Sequence, residues 1–198
     1  MNKKKLAQII FENRSYTPIP FLVLMIIFEQ ATILSLVIGF IVSLLGESIR
    51  LWGVSWAGSE TRTTGKVGGT YLIISGPFAY VRNPLYVGNI LIYLGLGIMS
   101  MSLFPYLQII AFVFFVFQYS IIVSEEEEYL RKTYGAQYER YFENVPKFFP
   151  RFTAYKDSSV EQPSFNIKTG LLSERRTLQA FLGVSLFLVL KFLFRIYV

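Results

Sequence analysis

Long apolar runs, among them Phe21–Phe28, Ile33–Leu45 and Ile109–Val123, set the pattern of the chain. A soluble domain would have to hide all of them in one core, whereas a bilayer solvates them without that demand. The pattern predicts five hydrophobic spans, at about 17–28, 31–57, 84–101, 103–124 and 178–197. The first is short for a hydrocarbon core of ~30 Å, and Pro18 and Pro20 restrict its start, so a single span from Phe21 to Leu45 competes with two. Charge arbitrates. With two spans, Lys3–Lys5 and Arg14 share a side with Arg62, Lys66, Arg82, Arg131, Lys132, Arg140, Lys147 and Arg151. The turns at 29–31 and 101–104 then carry no Lys or Arg, as the positive-inside rule expects, so two spans are preferred.

The expected fold is therefore an all-α integral membrane protein of about five transmembrane helices. Its expected parts are an N-terminal interfacial arm at 1–16, a membrane domain at 17–151, a linker at 152–177 and a C-terminal membrane helix at 178–198. Lys3–Lys5 followed by Glu12, Asn13 and Arg14 is unlike a cleavable signal. Pro163, Asn166 and Gly170 mark the linker, and Lys191 and Arg195 are expected to snorkel outward from the last span.

Composition narrows the chemistry. Across 198 residues the chain is 53% hydrophobic with a mean hydropathy of +0.46, too apolar for an ordinary soluble domain. It has no histidine and no cysteine. That removes Ser-His-Asp triads, thiolate nucleophiles, disulfides and His- or Cys-ligated metals, so no metal site is expected. The net charge of +6 lies beside hydrophobic spans and not in a soluble aromatic-basic patch, which points to anionic lipid headgroups rather than nucleic acid.

Two polar segments, 58–83 and 125–177, fall on the Lys- and Arg-rich side, and the chemistry is expected there. In the first, Gly76-Pro77 forces a turn, and Asn83-Pro84 ends it with proline as the first residue of the next helix. Asn83 is placed to cap that helix and leave a positive dipole end for a carboxylate ligand. The plainer alternative is a capped re-entry with Arg82 on headgroups. In the second, Glu125–Glu128 follows an apolar run. Successive helical residues turn by about 100°, so one or two of the four can face a site, where a bound cation would stabilise them. The plainer alternative is a solvated acidic collar. Between these segments, one hairpin arm is rich in glycine (Gly88, Gly95, Gly97) and the other in aromatics (Phe112, Phe114, Phe115, Phe117, Tyr119), a pattern that helix packing in lipid explains.

The segment from Gly76-Pro77-Phe78 through Tyr80, Arg82-Asn83-Pro84, Tyr86 and Gly88 resembles one motif of the isoprenylcysteine carboxyl methyltransferase and phospholipid methyltransferase superfamily. Glu126-Glu127, Leu130, Tyr134-Gly135, Tyr138, Tyr141, Val145-Pro146 and Pro150 resemble that family's C-terminal signature. The two motifs occur in order around one hairpin, and the resemblance covers about 32–151. It implies a helical membrane fold without a Rossmann sheet, and S-adenosylmethionine in a cytoplasm-facing pocket, released as S-adenosylhomocysteine. Carried over, Tyr71, Leu72, Ile73 and Phe78 line the adenosine side, and Asn83, Pro84, Leu85 and Tyr86 contact the cofactor. Glu126 holds its amino group, while Arg82 and Glu127 are the catalytic pair, with Glu127 supporting Arg82 or the helix. The acceptor, a lipid or another membrane-partitioned molecule, enters from the bilayer.

Asn83 stands where the family commonly has histidine; its amide donates a hydrogen bond but does not titrate. Ile122 stands where eukaryotic prenylcysteine enzymes carry arginine, which argues against strict prenylcysteine activity. Transfer from a sulfonium to an ionised carboxylate or a neutral amine needs chiefly positioning and desolvation, which suits a chain without imidazole. Tyr80, Tyr86 or Tyr138 could offer the sulfonium an aromatic face, or anchor at the interface instead. Two other classes compete: an NADPH-dependent membrane sterol-type reductase on a related scaffold, and a non-catalytic membrane subunit.

Overall fold

The computed structural model describes residues 3–58 and 71–197, with side chains from residue 8 onward. The expectations for the side chains of Lys3–Lys5 and for Arg62 and Lys66 lie outside the described residues. Those described form helices α1 (Lys3–Asn13), α2 (Ile19–Ile27), α3 (Ile33–Ala57), α4 (Pro84–Ser100), α5 (Tyr106–Tyr134), α6 (Ala136–Asn144) and α7 (Ile167–Tyr197), with a 3-10 turn at Gly76–Ala79 and no strand. Three of them, α3, α5 and α7, are long and apolar enough to cross a membrane. The other two expected spans correspond to α2 and α4, which are shorter at 9 and 17 residues.

The apolar stretch from Phe21 to Leu45 is broken because Thr32 and Ser35 cap α3. The Ser35 N–H donates to Thr32 Oγ1 at 3.1 Å and the Thr32 N–H donates to Ser35 Oγ at 2.9 Å. This reciprocal exchange satisfies donors that would otherwise be orphaned at a helix start. The turn before it is closed by Glu29, whose Oε1 accepts the Ala31 N–H at 2.6 Å.

The last helix differs from expectation. It begins at Ile167 and not near 178, because Asn166 caps it by accepting the Thr169 N–H at 3.1 Å. An asparagine that reads as loop chemistry in the sequence is here the residue that starts a helix.

The chain divides into two compact units, residues 1–47, 89–122 and 176–198 in one, and 48–88 and 123–175 in the other. In the first, Met25, Ile92, Leu96, Met99, Leu107, Phe181 and Leu188 form the core. Phe115 is buried and stacks on Tyr93 with ring centroids 4.5 Å apart. Within this unit α3 meets α4 at backbone distance. A Cβ on Gly95 would lie 2.5 Å from the Gly39 carbonyl oxygen and 2.2 Å from Ser43 Oγ, so only glycine fits.

Lys191 and Arg195 both reach toward the end of α2 and the turn after it, and Arg195 stays exposed. Lys191 Nζ donates to the carbonyl of Ile26, Arg195 donates to the carbonyl of Ala31, and Arg195 lies 3.4 Å from Glu29. Carbonyls at and beyond the end of α2 need donors, and these two side chains supply them.

In the second unit, Leu72, Ile74, Tyr138, Tyr141, Val145 and Val160 form the core. Gly135, at φ +51°, ends α5 and turns the chain into α6, whose tyrosines pack into that core.

Gly95→Val should overpack the α3–α4 contact and destabilise the protein by about 1–3 kcal/mol or more. Gly183→Ala, which meets open space, should stay within about 0.5 kcal/mol. Unfolding in detergent micelles distinguishes the two.

Candidate functional site

Every residue expected at the site falls in the second unit, and hydrogen bonds and ion pairs join the segments 82–86, 126–127 and 142–147. Pro84 starts α4 with no N–H to satisfy, and the two residues before it are held from outside the helix. The Arg82 N–H donates to the Pro146 carbonyl at 2.9 Å. The Arg82 guanidinium donates through Nε to Glu127 Oε1 at 3.1 Å, and through Nη1 to the carbonyls of Phe142, at 2.7 Å, and Val145. It also stacks over the Phe142 ring, 4.1 Å from its centroid. The pair is largely out of solvent, with side chains 8% and 13% exposed.

Asn83 sits at the N-cap position of α4, where its carbonyl accepts the Val87 N–H at 3.2 Å, and its side chain does a second job. Its Nδ2 donates to the Lys147 carbonyl at 3.2 Å and so ties the start of α4 to the segment after α6. Lys147 Nζ in turn lies 3.9 Å from Glu127 Oε2.

The four glutamates on α5 separate as a helix requires. Glu126 accepts the Tyr86 hydroxyl at 2.7 Å, Glu127 faces Arg82, and Glu128 pairs with Lys132 one turn on. Tyr86 and Glu126 thus join the two motif segments directly.

The residues expected around the adenosine are divided. Leu72 is buried in the core, with its carbonyl accepting Gln162 Nε2 at 2.8 Å, while Tyr71 and Ile73 are half-buried. Gln162 Oε1 also accepts the Ile74 N–H at 2.9 Å, so one amide side chain fixes this extended stretch. Phe78 is half-buried, and its carbonyl accepts the Tyr141 hydroxyl at 2.8 Å. Pro84 is buried, and Leu85 is half-buried.

Tyr138 is no candidate for an aromatic face on a ligand, because it is 1% exposed within the core. Burial first, and the Glu127 charge second, push its hydroxyl pKa up; burial does the same for Tyr141. Both therefore remain phenols at neutral pH, and Tyr141 keeps its donor for Phe78.

An open cavity of about 600 Å³ lies in the same unit, walled by Trp52, Trp56 and Tyr80 and by residues of 154–162. Asp157 on its rim is held down to about 2 by hydrogen bonds from the Ser159 hydroxyl and N–H and by Arg140. None of the other residues expected at the site lines this cavity.

Sequence reasoning missed Arg50 and Glu174. Arg50 Nη2 lies 2.7 Å from Glu174 Oε2, and Nε donates to the same oxygen at 3.1 Å. Arg50 Nη1 also reaches the Leu85 carbonyl at 3.4 Å. This nearly dry pair ties α7 to the first turn of α4. The available signal was a charge inside an expected membrane span, since such a residue requires a partner.

Arg82→Met should cost about 3–5 kcal/mol, because it strands the Glu127 carboxylate away from water. Glu139→Gln, which breaks the exposed Arg131–Glu139 pair, should cost about 0–1 kcal/mol. Equal losses in denaturant unfolding would show that Arg82 is not the tie described.

The comparisons with known proteins bear on this arrangement. The family model for phospholipid methyltransferases matches residues 34–137, just over half of the chain and inclusive of 82–86 and 126–127. The chain is 32% identical over 117 residues to the cobalt-zinc-cadmium resistance protein CzcN of Cupriavidus metallidurans, covering 59% of this chain and 51% of that protein. It is 31% identical over 91 residues to the nickel-cobalt-cadmium resistance protein NccN of Alcaligenes xylosoxydans xylosoxydans, covering 46% of this chain and 41% of that one. The chain thus spans about half the length, or less, of these curated relatives. No solved structure matches it. A family model that spans both hydrogen-bonded motif segments, on a chain with three helices fit to cross a bilayer, establishes that the protein belongs to the phospholipid methyltransferase family of integral membrane proteins.

Proposed function

We propose that the protein transfers a methyl group from S-adenosylmethionine to a lipid-like or membrane-partitioned acceptor. The observation that carries this reading is the 2.7 Å hydrogen bond between Tyr86 and Glu126, which joins the two motif segments and sets a carboxylate beside the start of α4. In this reading Glu126 takes the amino group of the cofactor, while Asn83, Leu85 and Tyr86 contact it beside the start of α4. Tyr71, Ile73 and Phe78 lie toward its adenosine. Leu72 and Pro84, both buried, support them through the backbone and the core. Arg82 and Glu127 neutralise each other, so they act as positioning residues that fix 82–86 against 142–147.

The bound cofactor supplies an electrophilic methyl carbon on a sulfonium. Held there, it would give that methyl to a carboxylate or amine of the acceptor and leave as neutral S-adenosylhomocysteine, the carbon–sulfur electron pair staying on sulfur. A carboxylate yields a neutral ester directly, whereas an amine releases its proton afterwards. Neither route needs an imidazole, in keeping with a chain that has none. The positive-inside pattern of the sequence supports a site facing the cytoplasm and a membrane crossed about five times.

The names of the two relatives suggest a setting in metal resistance. This chain lacks histidine and cysteine, the ligands that cobalt, zinc, nickel and cadmium favour, so such a part would run through a modified membrane component and not through chelation.

S-adenosylhomocysteine at 100 times its Kd should stabilise the purified protein by about 2.7 kcal/mol, seen as a rise in Tm. NADPH should give no rise. Glu126→Gln should abolish the response and Tyr86→Phe should weaken it. A full response from Glu126→Gln, or a response to NADPH alone, would overturn the reading.

A further inference from the structure

Residues 147–156 read Lys-Phe-Phe-Pro-Arg-Phe-Thr-Ala-Tyr-Lys, with three basic residues, four aromatics and no acid. Two of the phenylalanines are among the most exposed large apolar side chains described, Phe149 at 84% and Phe152 at 102%. An apolar ring left in water is ordinary on a frayed tail, but this segment is tied down. The Arg151 N–H donates to the Tyr80 carbonyl and the Tyr155 N–H to the Ala79 carbonyl, each at 2.9 Å, and the Pro146 carbonyl accepts from Arg82 at 2.9 Å. The Arg151 guanidinium adds a bond to the Asn144 carbonyl at 2.8 Å. The backbone is thus held in place while two rings project from it.

We propose that this segment docks on an anionic lipid surface, with Phe149 and Phe152 inserted just below the headgroups and Arg151 and Lys156 on lipid phosphates. The pattern of rings that partition below the headgroups beside cations that stay among them is the chemistry of interfacial binding. Charge complementarity selects anionic lipid. Lys156 is exposed, and the nearest acid in sequence, Asp157, is already matched by Arg140 at 3.0 Å. Ala154, Tyr155 and Lys156 also line the cavity walled by Trp52, Trp56 and Tyr80. Docking therefore sets the mouth of that cavity on the lipid surface, where a lipid-borne molecule reaches it without crossing water. The docking stands apart from the methyl-transfer reading; only the use of the cavity by an acceptor rests on it.

A chain without cysteine allows single spin labels to be introduced cleanly. The full chain carrying a nitroxide at Phe149→Cys or Phe152→Cys, with Glu161→Cys as the exposed control, is reconstituted in phosphatidylcholine nanodiscs with and without phosphatidylglycerol. The expected result is a several-fold rise in the ratio of oxygen to nickel-chelate collisions at 149 and 152 on adding phosphatidylglycerol, with none at 161. Arg151→Gln combined with Lys156→Gln should remove that rise. Labels at 149 and 152 that stay as water-exposed as the control, or that insert equally in both lipids, would overturn the proposal. Dipolar broadening between labels would also overturn it, by assigning the surface to a second copy of the chain.

Discussion

The guanidinium of Arg82 must be satisfied away from water, and that requirement organises the second unit. Charged donors out of solvent are tolerated only when paired and hydrogen-bonded, and Arg82 finds its partners on two separate stretches of chain. Glu127 lies on the helix that ends at Tyr134, and the carbonyls of Phe142 and Val145 lie at and beyond the end of α6, where the Pro146 carbonyl also takes the Arg82 backbone N–H. One side chain therefore sets the register of three segments. Asn83 and Tyr86, on either side of Pro84, are carried to Lys147 and Glu126 by the same anchoring.

In the proposed reading, the site depends on preorganisation more than on reactive side chains. A carboxylate and a phenol meet at Glu126 and Tyr86, and the Asn83 amide is tied to the Lys147 carbonyl; in that reading none of the three needs to change protonation during methyl transfer. Their value lies in being held. Tyr138 and Tyr141 beneath them are phenols raised by burial, and Tyr141 spends its hydroxyl on the backbone of Phe78. Arg50 and Glu174 serve the same end from α3 and α7, since the guanidinium reaches the Leu85 carbonyl.

Much of this could be read from the sequence, because apolar runs and proline-glycine punctuation are local signals. The break between α2 and α3, the hairpin of α4 and α5, and the turn of successive glutamates onto different faces all follow from periodicity and charge. The start of α7 did not, since Asn166 serves equally as a loop residue or a cap and only the Thr169 N–H decides between them. The partners of Lys191 and Arg195 were not legible, because the carbonyls of Ile26 and Ala31 cannot be seen without the turn that presents them. Tyr138 likewise looks like an interfacial aromatic until Gly135 folds α6 back over the core. The Arg50–Glu174 pair joins residues 124 positions apart, which no local pattern reveals.

The central claim is that the segments joined by Arg82 and Tyr86 form one binding surface for a sulfonium nucleotide. Ultraviolet cross-linking of tritiated S-adenosylmethionine to the detergent-purified protein, followed by peptide mapping, tests it most directly. The account predicts label on peptides containing residues 71–86 or 126–127, competed away by excess S-adenosylhomocysteine. Label confined to other peptides, or none that competes, would contradict it.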